Sequence, residues 1–155
     1  SCLLTHLSLL TSSTLCQSLI FMEPDNLTLR QYGVGIGDWQ TVSGWHEARH
    51  GCILSETDLP PLGVICEDER GPVAAIFAYQ ANGIGVAIAD SFLTRPGIGI
   101  KYAKKVGERA LFGLRALLRL DNYGILKAFT NCRALERVLY QLGFQGTRGA
   151  LTLKI

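Results

Sequence analysis

Residues 94–120 read TRPGIGIKYAKKVGERALFGLRALLRL, and this stretch decides the architecture. Apolar side chains fall at 103, 106, 110, 111, 114, 117 and 118, one stripe of a long helix, while Lys101, Lys105, Arg109, Arg115 and Arg119 lie largely outside it. Arg95-Pro96-Gly97-Ile98-Gly99-Ile100 joins that helix to an apolar strand at 84–93. Glycine lets backbone approach a ligand closely, and first-turn N–H groups have no intrahelical partner. With the positive end of the helix dipole they form a ready phosphate site. A plain strand-to-helix turn accounts for the same residues.

Downstream, Asp121-Asn122-Tyr123-Gly124 stops the helix and 125–130 reads as a short strand. Thr130 or Asn131 is the expected cap of a second helix, with Ala134, Leu135, Val138, Leu139 and Leu142 on its inner face and Gly143 closing it. A last strand is expected at 150–155. Upstream, 27–32 alternates as a strand, and Gly35-Ile36-Gly37-Asp38 breaks the chain, with Asp38 as the expected cap of a helix from Trp39 to His50. Strands follow at 62–66 and 73–79, and Asn82-Gly83 marks a tight hairpin into 84–93. A meander followed by strand–helix–strand–helix–strand predicts an α/β or α+β fold, a central mixed β-sheet flanked by helices.

The chain has 155 residues, 48% hydrophobic and 18% charged, which argues for one domain with its own core and excludes a disordered chain. No apolar run approaches the roughly 18 residues of a membrane helix. Five cysteines, at 2, 16, 52, 66 and 132, form no C-x-x-C pair and read as reduced thiols of a cytoplasmic protein. Residues 1–21 carry no Lys, Arg, Asp or Glu, and the only methionine is Met22. They are expected to be a non-native or disordered extension, with 22–155 forming the domain. Residues 1–94 hold 3 basic and 10 acidic side chains, residues 95–155 hold 12 and 3. The basic half suggests a polyanionic partner such as a phosphorylated cofactor, or else a solvated basic face.

His46-Glu47-Ala48-Arg49-His50 is an H-E-x-x-H, whose histidines share a helix face and can hold zinc with the glutamate as base. The remaining histidine is His6, so a third ligand would have to come from Glu56 or Asp58 on a short loop. A zinc hydrolase is therefore an alternative rather than the main reading, and no metal is expected.

Asn131-Cys-Arg-Ala134-Leu-Glu-Arg-Val-Leu-Tyr140-Gln-Leu142-Gly143-Phe144, together with the 94–100 loop, resembles the GCN5-related N-acetyltransferase (GNAT) superfamily. That family has a Q/R-x-x-G-x-G/A loop before a long helix and an N-x-x-A-x-x-x-Y-x-x-L-G-F ending. Here Thr94 stands at the Gln/Arg place with Arg95 beside it, and one extra residue puts Leu139 at the tyrosine place with Tyr140 beside it. Short phage and prophage members look similar. The resemblance implies a GNAT-like acyl-CoA N-acyltransferase fold and direct acetyl transfer from acetyl-CoA to a small-molecule or peptide amine. The pantetheine arm would lie between strands 84–93 and 125–130. Backbone near Phe92, Leu93 and Thr94 would hold the oxyanion, while Arg95, Gly97, Ile98, Gly99, Ile100 and Lys101 would hold the pyrophosphate. Asn131 would contact the pantetheine arm and Tyr140 would protonate the departing thiolate. Asp90, nearest the loop, is the candidate base, with Glu47 and Glu56 behind it. Tyr140 also lies outside the apolar arc of its helix, as a plain surface tyrosine would. A homodimer is an expected assembly; nucleic acid and membranes are not expected partners. A catalytically silent binding or virion-associated protein of the same fold is the other alternative.

Overall fold

A computed structural model describes residues 26–147 and 149–155. Expectations for residues 1–21, Met22 and His6 lie outside the described residues. Seven strands form one sheet in the order β1-β2-β3-β4-β5-β7-β6, where β1 is Thr28–Gln31, β2 Leu62–Asp68, β3 Gly71–Ala81, β4 Val86–Thr94, β5 Ile125–Phe129, β6 Gln145–Thr147 and β7 Ala150–Lys154. The helices are α1 Asp38–His50, α2 Ile100–Leu120 and α3 Arg133–Gln141. Among the described residues only β4 and β5 pair in parallel, because α2 carries the chain over the sheet between them. The mixed sheet flanked by helices agrees with the sequence. No helix among the described residues is long and apolar enough to cross a membrane.

The stripe of α2 buries Val106, Ala110, Leu111, Leu114 and Leu118 against Val64, Ala74, Ile76 and Leu126. Leu139 of α3 and Leu142 at its C-terminal cap pack on the same cluster, so α2 and α3 share one face of the sheet. The other face carries a smaller core of Val42, Trp45, Leu59, Ile65, Ala75, Phe77 and Leu93 under α1. Tight approach on both faces uses glycine. A Cβ at Gly107 would stand 3.0 Å from the Phe92 ring, and one at Gly63 would stand 2.6 Å from the Phe77 ring and 2.9 Å from Tyr32 Cβ. Gly63 thus lets Tyr32 and Phe77 meet edge-on, centroids 5.0 Å apart.

Register positions the site. Ile76 pairs with Phe92 but Ala78 pairs with Ala89, so Asp90 and Ser91 together oppose Phe77 in a β-bulge. The bulge exchanges the faces of β4: Ala87 and Ala89 lie on the α2 face before it, and Phe92 lies there after it. Pairing of β4 with β5 ends at Ala89↔Ala128, and β4 runs on to Thr94 without β5.

Two capping expectations are corrected. Asp38 is the first residue of α1, and the cap position is Gly37, without a side-chain cap. The Asp38 carboxylate instead accepts from Arg30 at 2.7 and 2.6 Å and from the Gly33 and Gly35 N–H groups at 2.8 and 3.2 Å. Burial pushes this carboxyl up, and the Arg30 and backbone hydrogen bonds outweigh it, leaving it below its ordinary range. A buried carboxylate with an arginine in reach takes the ion pair over the cap. At α3 the cap position is Cys132, whose N–H donates to Thr130 Oγ1 at 3.0 Å, so the helix starts two residues later than Asn131.

Gly63→Ala should destabilise the protein by about 1–3 kcal/mol, the usual cost of overpacking a filled core. Chemical denaturation measures it, and an unchanged midpoint would contradict the close approach at β2.

Candidate functional site

The C-terminal end of β4 and the start of α2 form the centre of the site. α2 begins with Gly99 at the cap position, φ −71° and ψ 155°, a conformation that suits Ser or Asp, yet no side chain caps this helix. The first intrahelical bond is donated by the Ala103 N–H to Gly99 O at 2.9 Å, so the N–H groups of Ile100, Lys101 and Tyr102 precede it without a helical acceptor. Nothing lies within 4 Å of where a Cβ would stand on Gly97 or Gly99. Gly97 has φ +81°, which a glycine adopts without strain.

The strand leading in offers further donors. The Arg95 N–H donates to Val73 O on β3 at 2.9 Å. Backbone polar groups alternate sides along a strand, so the N–H groups of Thr94 and Phe92 face the other edge, which β5 has left. Phe92 packs on the α2 face, Leu93 on the α1 face, and Thr94 is buried.

Two consecutive side chains anchor this strand end. Thr94 Oγ1 accepts from Arg49 Nη2 of α1 at 2.9 Å. The Arg95 guanidinium grips Asp68 of β2 with hydrogen bonds of 3.1 and 2.6 Å, and Tyr102 of α2 donates its hydroxyl to the same carboxylate at 3.0 Å. The Arg95 side chain therefore fixes the loop to β2 and the first turn of α2. Its hydrogen bonds, more than burial opposes, hold the Asp68 carboxyl at about 2. Burial and the same carboxylate raise the Tyr102 phenol. No feature of the sequence announces the Asp68–Arg95 pair, whose members stand 27 positions apart.

Lys101 and Lys105 are exposed on the first turns of α2, and Lys104 meets Glu108 at 3.7 Å. Ile98 is half-buried against the α2-side core, Ile100 is exposed, and Asn131 is exposed just before α3. Asp90 sits exposed in the bulge and accepts from Ser91 Oγ at 2.8 Å. Tyr140 is 43% exposed, outside the packed face as the arc reading had it. Its hydroxyl donates to Gly146 O on β6 at 3.4 Å. That strand lies two strand spacings, about 10 Å, beyond β5. Phe92 and Thr94 thus stand at the end of β4 that leads into the 97–101 loop, Asp90 lies in the bulge before them, and the Tyr140 hydroxyl lies near β6.

His46 and His50 stand side by side on α1, ring centroids 4.6 Å apart. Among the described residues no group of three or more His, Cys, Asp or Glu side chains is placed to hold a metal ion. The Cys66 thiol is pushed up to about 12 by burial, and Cys52 and Cys132 are exposed and unpaired with each other.

No protein-family model matches the sequence, and no curated protein matches it. Solved structures do. The ribosomal-protein-S18-alanine N-acetyltransferase from Escherichia coli superposes with a TM-score of 0.64 at 15% identity, covering 83% of this chain and 94% of that one. The chain has the GNAT acyltransferase fold. A GCN5-related N-acetyltransferase from Kribbella flavida gives 0.60 at 14% identity over 86% of this chain and 100% of that one. N-acetylglutamate synthase from Neisseria gonorrhoeae, in complex with coenzyme A and L-arginine, gives 0.62 at 13% identity over 83% of this chain and 33% of that one. The β4 bulge, the end of β4–β5 pairing at Ala89↔Ala128 and the uncapped start of α2 all fall within residues 89–100.

The low pKa of Asp68 has a sign that experiment can read. The folded state holds this carboxylate ionised below the ordinary value near 4, so the Arg95–Asp68 pair stabilises fully above about pH 4 and is lost as pH falls towards about 2. Asp68→Asn should lower stability at neutral pH and flatten the decline between about pH 4 and pH 2. An identical acid profile for both proteins would contradict the pair.

Proposed function

We propose that the protein transfers an acetyl group from acetyl-CoA to an amine. One observation carries this reading: the N-terminus of α2 has no cap of its own and follows the end of β4 that β5 has left. The residues present fit acetyl-CoA. Three first-turn N–H groups, the open side of Gly97 and Gly99, and the exposed Lys101 and Lys105 together suit phosphate oxygens. The seam past Ala89↔Ala128 leaves room for an extended arm between β4 and β5. When bound, acetyl-CoA supplies an activated acyl thioester.

The chain's own part is binding and charge stabilisation. The loop orients the phosphates, and Arg95 holds that loop still through Asp68 and Tyr102. Phe92 and Thr94 present N–H groups to an oxygen that gains negative charge during transfer, a contribution typically worth about 3–4 kcal/mol per donor. Asn131 lines the approach from α3. Tyr140, whose hydroxyl lies 3.4 Å from Gly146 O, is assigned no step in this reading. The acceptor approaches from the α1 face, since α2 and α3 occupy the other.

Gly99→Asp separates a phosphate site from a plain turn. Aspartate suits the cap geometry and should raise stability by about a few tenths of a kcal/mol over glycine. It also places a carboxylate where phosphate would sit, so acetyl-CoA affinity by calorimetry should fall roughly tenfold to a hundredfold. Wild-type protein giving no binding heat would favour a silent binding protein of this fold, and unchanged affinity in Gly99→Asp would remove the helix terminus from the site.

A second measurement addresses the basic half. Acetyl-CoA affinity should weaken as salt rises, and replacing Lys101, Lys104 and Lys105 together by Ala should weaken binding with little loss of stability, because all three are exposed. Salt-independent binding in an unaffected triple variant would discard their role.

A further inference from the structure

We propose that His46 is the catalytic base that takes the proton from the acceptor's ammonium group, with His50 passing it on to solvent. The proposal rests on the acyl-transfer reading and adds a role for the H-E-x-x-H, which that reading leaves unused.

Helix α1 runs across the strands. Asp38 at its start is held by Arg30 of β1, and Arg49 in its last turn donates to Thr94 at the end of β4. The last turn therefore stands over the splayed part of β4, on the face left open to an acceptor. The chain then doubles back along one flank of the helix. Ser43 Oγ donates to Leu54 O at 3.3 Å, and His46 Nδ1 lies 3.0 Å from Cys52 O. This returning segment reaches Leu59, which is buried in the cluster that contains Phe77, the residue opposite the bulge. Ser43 and His46 thus lie on the flank along which the chain returns, from the Thr94 end of β4 towards the residue opposite the bulge.

The contact with Cys52 also sets the chemistry of His46. A carbonyl oxygen only accepts, so Nδ1 carries the hydrogen and Nε2 keeps its lone pair. A neutral imidazole held in one tautomer by a backbone carbonyl is an oriented base, and imidazole is the side chain whose ordinary titration falls near neutral pH. His50, tilted by 38° against His46 and exposed, gives the proton a way out to water.

The step balances as follows. An N–H bond of the acceptor ammonium breaks, its electron pair stays on nitrogen, and the proton bonds to His46 Nε2. That nitrogen forms the new C–N bond as the C–S bond of the thioester breaks; it loses its second proton to solvent in becoming the amide, and the sulfur leaves as a thiol with a proton from solvent. His46 returns to neutral by losing its proton to His50 and then to water.

The test compares wild type, His46→Gln, His46→Ala, His50→Gln and Asp90→Asn on two acceptor classes at neutral pH. One is a panel of alkylamines, namely spermidine, lysine and a short peptide with a free N-terminus. The other is aniline, which is unprotonated at this pH and needs no base to free its lone pair. His46→Gln should lower kcat/KM for the alkylamine used by wild type by roughly 10²–10⁴-fold. Aniline transfer should fall far less, calorimetric affinity for acetyl-CoA should stay within about twofold, and added imidazole should restore part of the His46→Ala rate. A readout independent of turnover is carbethoxylation of His46 by diethyl pyrocarbonate, mapped by mass spectrometry, which the bound alkylamine should slow. Full alkylamine turnover in His46→Gln, equal losses for both acceptor classes, or a loss confined to Asp90→Asn would overturn the assignment while leaving acyl transfer intact. Wild type that neither binds acetyl-CoA nor transfers from it would instead overturn the acyl-transfer reading, and the base with it.

Discussion

The two-for-one step at Asp90 and Ser91 opposite Phe77 is the constraint on which the rest of the site depends. A regular β4 would keep Phe92 on the α1 face and would leave α2 without the ring that Gly107 fits against. The bulge turns the strand, its pairing with β5 stops, and the edge that β5 vacates becomes a row of backbone donors lined up with the start of α2. A sheet fully paired at this point would have satisfied those donors internally and closed the cleft. Backbone irregularity here does what a set of polar side chains does elsewhere, and it does so with few chemically distinctive residues.

That economy explains what was legible in the sequence. Helix α2 was plain because its stripe of Val106, Ala110, Leu114 and Leu118 keeps the helical period. The glycines at 97 and 99 marked the loop, and the order of elements yielded the mixed sheet. The bulge was hidden because Val86, Ala87, Ile88 and Ala89 are apolar on both faces, so a change of face leaves no break in alternation. The partners of Asp38 and Arg95 were hidden for another reason: a carboxylate before a helix looks like a cap, and an arginine before two glycines looks like a phosphate ligand, until folding brings Arg30 and Asp68 to them. Leu135, expected on the inner face of α3, is 39% exposed, because that short helix packs mainly through Leu139 and Leu142. β6 escaped notice since its three residues are all exposed and carry no apolar alternation.

Charge is distributed with the same division of labour. The acidic N-terminal half keeps much of its charge in internal pairs, Arg30 with Asp38 and Glu67, and Asp68 with Arg95. On α2, Lys101, Lys104, Lys105 and Arg119 are exposed, while Arg109 and Arg115 are half-buried. The H-E-x-x-H shows how a pattern is redirected by its surroundings: Arg49 is drawn to Thr94, His46 to Cys52, and the helix face that would hold a metal becomes a flank over the strand.

Thr94 and Arg95 are neighbours in the chain, yet one is tied to α1 on one face of the sheet and the other to β2 and α2. A backbone fastened at two successive residues acts as a fixed gauge between helix and sheet, with no slack to absorb a change in length. An inserted or deleted residue between 93 and 97 would break one tether or the other. The hairpin at 82–85, whose Asn82, Gly83 and Ile84 are exposed, has room to vary. Length is therefore the constrained quantity here: a substitution along the strand and loop disturbs less than a change in the number of residues connecting them.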